Sequence, residues 1–405
     1  MSPTRSTVSL LRVEDRSDAG VRRSLEELLR LAGSPLDRLR TGDRVMVKPN
    51  MFQLKPGFHS SIQLVEALAR AVADRGARVT VAERTRNLHN VLKDSRIAEA
   101  AEVVSFDDMP LRVVQIPEAV SLRVPLAVPE PMLDCDYFIG VPQLRTHSSV
   151  ILTCALKNLV GLLPGYTTRI VHMAGVEESI TDLNLMRHQD LVVCDALTTV
   201  QGNYPMAGEV VDTGLLAASA DAFALDTVMA GVAGVDPDEL GYLCHARSRG
   251  LAPAGADQVH VTGADPADVA FTIRRAPAAI RADRPRLHVH AETACGPCRQ
   301  FIAAALHELA ADLDAYPGEL TVVSGPRERL PPLRGAVVLV GNALYDHREA
   351  GVYLEGCPPR AIQLAGFRHA LGLPVSPEQR SQFRVPLGQY GPARPAPQPP
   401  AEEMV

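Results

Sequence analysis

The run "RVMVKPN" (residues 44–50) and the segment "SSIQLVEALARAVADRGARVTVAER" (residues 60–84) together spell one β-α-β unit. The first is a short β-branched strand broken by Pro-Asn. In the second, Ser60 or Ser61 can cap a helix on which Leu64, Leu68 and Val72 recur on one face. Gly76 stops that helix and "RVTVAE" resumes as a strand.

Moving outward, "DYFIGVPQ" (136–143), "LVVCDA" (191–196) and "QVHVTG" (258–263) read as further strands. Near-continuous apolar strands separated by helices imply an α/β fold, a mostly parallel sheet covered by helices. A second, smaller α/β unit is expected from "RADRPRLHVHAE" onward. It has strands at "RLHVHAE", "ELTVVSG" and "GAVVLVGN" and a helix at "CRQFIAAALHELAADLD". "PPRAIQLAGFRHALG" reads as its closing helix, with the prolines in the first turn. The expected boundaries are a main domain over 1–280, a cysteine-containing domain over 281–384 and a disordered Pro-rich tail over 385–405.

The bulk numbers agree with two domains, since 405 residues exceed what one core usually organises. A formal charge of -6, no Trp and 4% aromatic residues argue against nucleic acid as a partner. "MSPTRSTVSLLRVEDR" lacks the apolar core of a signal peptide, and no run reaches the roughly 18 apolar residues of a membrane span. A cytoplasmic protein with no membrane partner is expected. Seven scattered cysteines do not suggest a disulfide framework.

Ligands of open parallel sheets bind beyond the carboxyl ends of the strands. The expected strand ends carry Lys48 and Asn50, Glu83, Arg145 and His147, and Asp195, and the segment after them adds Lys157, Asn158, Arg169 and His172. Each has a plainer reading: Asp195 as a cap, Glu83 paired with Arg84 or Arg86 in solvent, a histidine with a structural role. Their convergence suggests instead a site for a small anionic substrate, since cations dominate. Lys48, Asn50, Arg145 and Asn158 would bind it, and His147, Lys157, His172 and Glu83 would transfer protons, with Asp195 orienting one of them. Asp221 and Asp226 open an apolar helix, and Asp221 is the better N-terminal cap.

"VMVKPNMF", "DCDYFIGVPQLRTHSSVILTCALKNLVGLLPG", "VHMAG", "LVVCDA" and "SADAFALDTV" follow one another in an order that resembles the family known as domain of unknown function 362. The resemblance covers residues 45–234, and "LKNLVG" is its most specific part. Arg145 stands where the family pattern would have Lys. The resemblance implies an iron-sulfur cluster bound by C-terminal cysteines.

The candidates for that role are Cys295 and Cys298 in "ACGPCRQF" and Cys357 in "EGCPPR". A C-x-x-C pair with a distant Cys-Pro is a workable three-thiolate set for a 4Fe-4S cluster. The family resemblance implies a fourth cysteine near Ala343 and none stands there, so one iron would keep an exchangeable position unless Asp346, His347 or Cys154 filled it. An open iron can act as a Lewis acid, and lyase or dehydratase chemistry on the anionic substrate is the expected function. Two alternatives stay open. One is a redox protein in which the cluster or a Cys295/Cys298 dithiol exchanges electrons with a donor. The other is a non-catalytic binding protein stabilised by zinc, with His288, His290 or His347 completing the site. A second copy of the chain is a further candidate partner. Cys135, Cys194 and Cys244 are expected in the core.

Overall fold

The computed structural model of the protein describes residues 6–51, 55–85, 88–164, 167–360 and 363–381. The Pro-rich segment 385–405 lies outside them. Two compact units emerge. Unit 1 comprises Met1–Gly202 and Glu209–Arg274, and unit 2 comprises Asn203–Gly208 and Arg275–Val405. The short piece Asn203–Gly208 thus belongs with the second unit although it lies far upstream of residue 281.

Unit 1 contains twelve strands among the described residues: β1 (Thr7–Arg12), β2 (Arg44–Pro49), β3 (Arg78–Glu83), β4 (Glu102–Ser105), β5 (Leu111–Val114), β6 (Leu126–Pro129), β7 (Tyr137–Val141), β8 (Gln143–His147), β9 (Ile151–Thr153), β10 (Leu191–Gln201), β11 (Glu209–Ser219) and β12 (His260–Gly263). Ten of them form one sheet, in which β12-β1-β11-β10-β7-β2-β3-β4 is the main order and β8 pairs with both β10 and β9. The pairings are parallel except for β11 against its two neighbours and β8 against β9. The mostly parallel α/β sheet read from the sequence is therefore present.

Period-2 alternation assigns the strand residues to two buried layers. Val45, Val47, Tyr137, Ile139 and Val193 face one core, with Leu64, Leu68 and Val72 of the helix Ile62–Ala73. Met46, Phe138, Val192 and Cys194 face the other, with Leu183, Leu225 and Met229. Gly76, at φ +79°, ends the crossover as the sequence suggested.

Two expectations from the sequence differ from the structure here. Residues 145–147 lie not in a loop but in β8, because the chain reverses at 148–150 and pairs Arg145 with Thr153 and His147 with Ile151. β10 runs on to Gln201, which leaves Asp195 inside a strand rather than at its end. The segment 168–186, to which the sequence assigned no element, forms two helices, Thr168–Ala174 and Val176–Met186. The strand β1 and the helix Asp18–Leu31, capped by Ser17, went unread.

Unit 2 is a four-stranded parallel sheet in sequence order: β13 (Leu287–His290), β14 (Leu320–Ser324), β15 (Ala336–Val340) and β16 (Val352–Leu354). The helix Gly296–Glu308 buries Ile302, Ala305 and Leu306 on a core that includes Val322, Val338 and Phe367. Met206 packs on the same core, and the Asn203 side chain donates to the Ala304 carbonyl at 2.8 Å and to Glu308 Oε1 at 2.7 Å. The last strand is followed by a turn in which Gly356 bridges Pro359. Pro358 and Pro359 therefore precede the closing helix, which spans Leu364–Ala370, instead of opening it. Among the described residues no helix is long and apolar enough to cross a membrane.

Candidate functional site

The strand-end residues of unit 1 separate into two groups. In the first, Lys48 is fully buried at the end of β2, and its ammonium donates to Glu83 Oε2 at 2.9 Å, to Asn158 Oδ1 at 3.1 Å and to the Pro49 carbonyl at 3.1 Å. Asn158 returns a bond from Nδ2 to the Lys48 carbonyl. Glu83 also accepts from the backbone N–H groups of Arg84 and Met51. Burial pushes the Lys48 amine down while Glu83 pulls it back up.

The motif "LKNLVG" follows from this knot. Asn158 ties it, and a Cβ on Gly161 would come within 2.7 Å of Glu83 Oε1 and 2.8 Å of Lys48 Nζ. Gly161 is thus a site residue that the sequence reading passed over, although the motif held the signal. Lys48, Asn158 and Glu83 are committed to one another rather than turned to a ligand, and Glu83 pairs with Lys48 rather than with the Arg84 side chain, while Arg86 lies outside the described residues.

In the second group, Arg145 on β8 is anchored by Asn50 Oδ1 at 2.9 Å and by the Phe58 carbonyl at 3.2 Å. The β8-β9 hairpin then brings the chain back, so that Lys157, in the helix Ala155–Asn158, falls within electrostatic reach of Arg145, His147 and His172. Lys157 has no hydrogen-bond or ion-pair partner among the described residues. Burial first, and then the Arg145 charge, lower its amine to about 7. His172 is lowered to about 4 by burial and Lys157, and its Nδ1 is buried without a partner among the described residues. His147 is pushed well below its ordinary value by burial, Lys157, Arg145 and His172, and its Nδ1 accepts from the Ser149 N–H at 3.0 Å. Neutral imidazoles beside an amine poised near neutrality, with a fixed guanidinium at hand, can hold an anion and move protons.

Asp195 caps the loop at the start of the helix Ile62–Ala73, accepting from the Ser61 and Leu197 N–H groups. Among the described residues its hydrogen bonds go to Ser61 and Leu197, not to His147, Lys157 or His172. Asp221 caps the helix Ala222–Val232 through the Phe223 and Ala224 N–H groups, as expected. Asp226, raised to about 7 chiefly by burial, accepts from the Ala155 and Leu156 N–H groups. It is the cap of the short helix that carries Lys157, and its sequence position gave no hint of that.

The cysteines of unit 2 sit at the carboxyl edge of its sheet. Cys295 is the exposed N-cap of the helix Gly296–Glu308, and Cys298 is buried one turn in. Burial, then Cys295, then Cys357 push the Cys298 thiol up to about 12, so Cys298 lies within electrostatic reach of both other thiols. Gly325, Gly341 and Gly356 follow β14, β15 and β16, with φ of +91°, +94° and +134°. A Cβ on Gly341 would stand 3.1 Å from Cys298 Sγ. Asn342 laces this rim, accepting from the Gly356 N–H at 2.6 Å and from the Tyr353 hydroxyl at 3.3 Å. A cleft of about 380 Å³ lined by Ile280, Gly296, Arg299 and Gln300 opens nearby.

Among the described residues no three His, Cys, Asp or Glu side chains are grouped for a metal ion. One ion bonded at about 2.3 Å requires thiolates within about 4 Å of each other, whereas a four-iron cluster spreads its ligands wider. The larger group is the one these residues suit: Cys298 has both other thiols in electrostatic reach, and Gly341 leaves room beside its Sγ. His288 is engaged with Glu319 and His347 with the Arg327 carbonyl. Cys154 lies in unit 1, its Sγ 3.2 Å from that of buried Cys194. Cys135 is half-buried, and Cys244 is exposed rather than in the core, its thiol donating to the Asp238 carbonyl.

A mostly parallel α/β domain with a charged strand-end site is the class these features define. Residues 45–231, the segment that holds both groups of site residues in unit 1, match the model of the family described as domain of unknown function (DUF362). The thylakoid-associated protein sll1697 of Synechocystis sp. is 27% identical over 262 residues, covering 62% of this chain and 82% of its own. The lactate racemase apoprotein of Thermoanaerobacterium thermosaccharolyticum aligns over 79% of this chain and 69% of its own, with a TM-score of 0.37 and 10% identity.

Proposed function

We propose that the protein is an iron-sulfur enzyme acting on a small anionic metabolite, with lyase or dehydratase chemistry. The observation that carries this reading is Lys157, a shielded amine with no carboxylate to pair with among the described residues, beside Arg145, His147 and His172. An amine left without a carboxylate beside a guanidinium suits an anionic ligand. Arg145, held by Asn50, fixes the anionic group. Lys157, His147 and His172 take a proton from the substrate and return one to the leaving group.

Cys295, Cys298 and Cys357 would hold the cluster, which when bound supplies a Lewis-acidic iron if its fourth ligand position stays open. The test is anaerobic purification followed by iron and sulfide analysis. A brown protein that loses both on Cys357→Ser is expected, and a colourless protein without iron would overturn the cluster. Calorimetry with small carboxylates and phosphates tests the anion site. Binding that weakens on Lys157→Met is expected, and the absence of binding by the wild type would overturn it.

One observation favours a second reading. Cys295 is exposed at a helix N-terminus while Cys298 behind it is held to about 12, the asymmetry of an attacking and a resolving thiol. On that reading unit 2 exchanges electrons through a dithiol. A Cys295–Cys298 disulfide formed by mild oxidant in an iron-free protein would support it.

A further inference from the structure

The chain contains four lysines among 41 basic residues: Lys48, Lys55, Lys93 and Lys157. Arginine does nearly all the cationic work, on the surface and in ion pairs alike. A lysine inside a site is therefore informative where a guanidinium would serve equally well for charge. Lys48 is tied into the Glu83 and Asn158 knot. Lys55 lies over the Phe58 ring at 4.5 Å, and Lys93 is exposed beside Asp94. Lys157 alone is both shielded and without a partner among the described residues. What an amine offers and a guanidinium does not is a nucleophilic lone pair at neutral pH.

The surroundings suit that use. Arg145 is fixed by Asn50 and by the Phe58 carbonyl, so a permanent cation stands near the amine and favours its neutral form. His172 presents a buried Nδ1 with nothing bonded to it among the described residues, and His147 is neutral.

We propose that Lys157 forms a Schiff base and that the substrate of the unit 1 site is a small anionic carbonyl compound, of which a 2-oxo acid is the simplest kind. This rests on the anion-site reading above and assigns Lys157 the nucleophile's part, leaving proton transfer to His147 and His172. The Lys157 lone pair forms the C–N bond as the carbonyl π pair moves to oxygen. The carbinolamine then loses its C–O bond, and the oxygen departs as water with both amine hydrogens, one relayed through His172. No oxidant or reductant takes part.

The test uses the full chain with glyoxylate, pyruvate and 2-oxoglutarate as probes, borohydride to reduce any imine, and peptide mass spectrometry to locate the adduct. With four lysines the assignment is unambiguous. The expected result is an adduct on Lys157, roughly tenfold or more above that on Lys55 or Lys93, reflecting the activated amine. It should vanish in Lys157→Arg, a variant whose melting curve reports that it has folded. Equal labelling of Lys55, Lys93 and Lys157 would overturn the proposal. So would binding of a 2-oxo acid by calorimetry without a trapped adduct, a result that leaves the anion site standing. If the probes neither bind nor label, both readings fail.

Discussion

The two units place their chemistry at the same topological position, beyond the carboxyl ends of parallel strands, and build it by opposite means. Unit 1 fills the space with long charged side chains that hold one another, Lys48 on Glu83 and Asn158, Arg145 on Asn50. Unit 2 empties the space, following three successive strands with glycines at positive φ, of which Gly341 leaves room beside the Sγ of buried Cys298. A site assembled from mutual pairs is rigid but intolerant of losing one partner. A site assembled by omission tolerates polar change and fails when bulk is added.

The contrast breaks first in unit 2. On the proposed cluster reading, Gly341→Val should reduce bound iron to background, because a branched side chain would enter the space beside Cys298 Sγ at a φ that disfavours it. Metal analysis after anaerobic reconstitution checks this, and full iron content would show that the cleared rim is not needed.

In unit 1 the large effect is electrostatic. Lys48→Met strands a buried carboxylate and should cost about 3–5 kcal/mol in denaturant unfolding, while adding Glu83→Leu should recover most of it. A double variant no better than the single one would mean that the pair is not the source of the loss. Smaller is Gly161→Ala, which pushes one methyl toward that pair and should cost about 1–3 kcal/mol. An unchanged unfolding midpoint would indicate that Lys48 and Glu83 move aside freely.

The smallest effect is a pH dependence. Lys157 titrates near 7 in the folded chain and near its ordinary 10.5 when unfolded. Between those values the unfolded chain holds a proton that the native chain has shed, so stability rises with pH across that window. Lys157→Met should therefore raise the melting temperature most below pH 7, and the gain should shrink toward pH 10, with Arg145, His147 and His172 as the charged or titratable neighbours. A gain that does not vary with pH would place the amine in solvent.

Local patterns carried much of this into the sequence. The β-α-β unit at 44–84 was legible because its strand, its 3.6-residue apolar period and its stop at Gly76 all follow from neighbouring residues. The cations at the strand ends were legible for the same reason. What escaped depends on partners distant in sequence. Lys48 looks like a ligand-binding lysine until Glu83, Asn158 and the Pro49 carbonyl are seen to use up its three donors. Asp195 sits at the end of an apolar run, but β11 extends the strand past it by pairing from across a turn. Asp226 caps a helix 71 residues upstream, a contact that no periodicity encodes. Cys244 follows an apolar stretch and yet faces solvent.

Asn203–Gly208 also bears on how the protein can be dissected. A fragment beginning at Arg275 would lack the amide that bonds the Ala304 carbonyl and Glu308, and Met206 would be missing from its core. No single cut liberates the cysteine-bearing half whole. A usable excised version would need the hexapeptide supplied again, grafted through a linker or left in the parent chain beside a protease site.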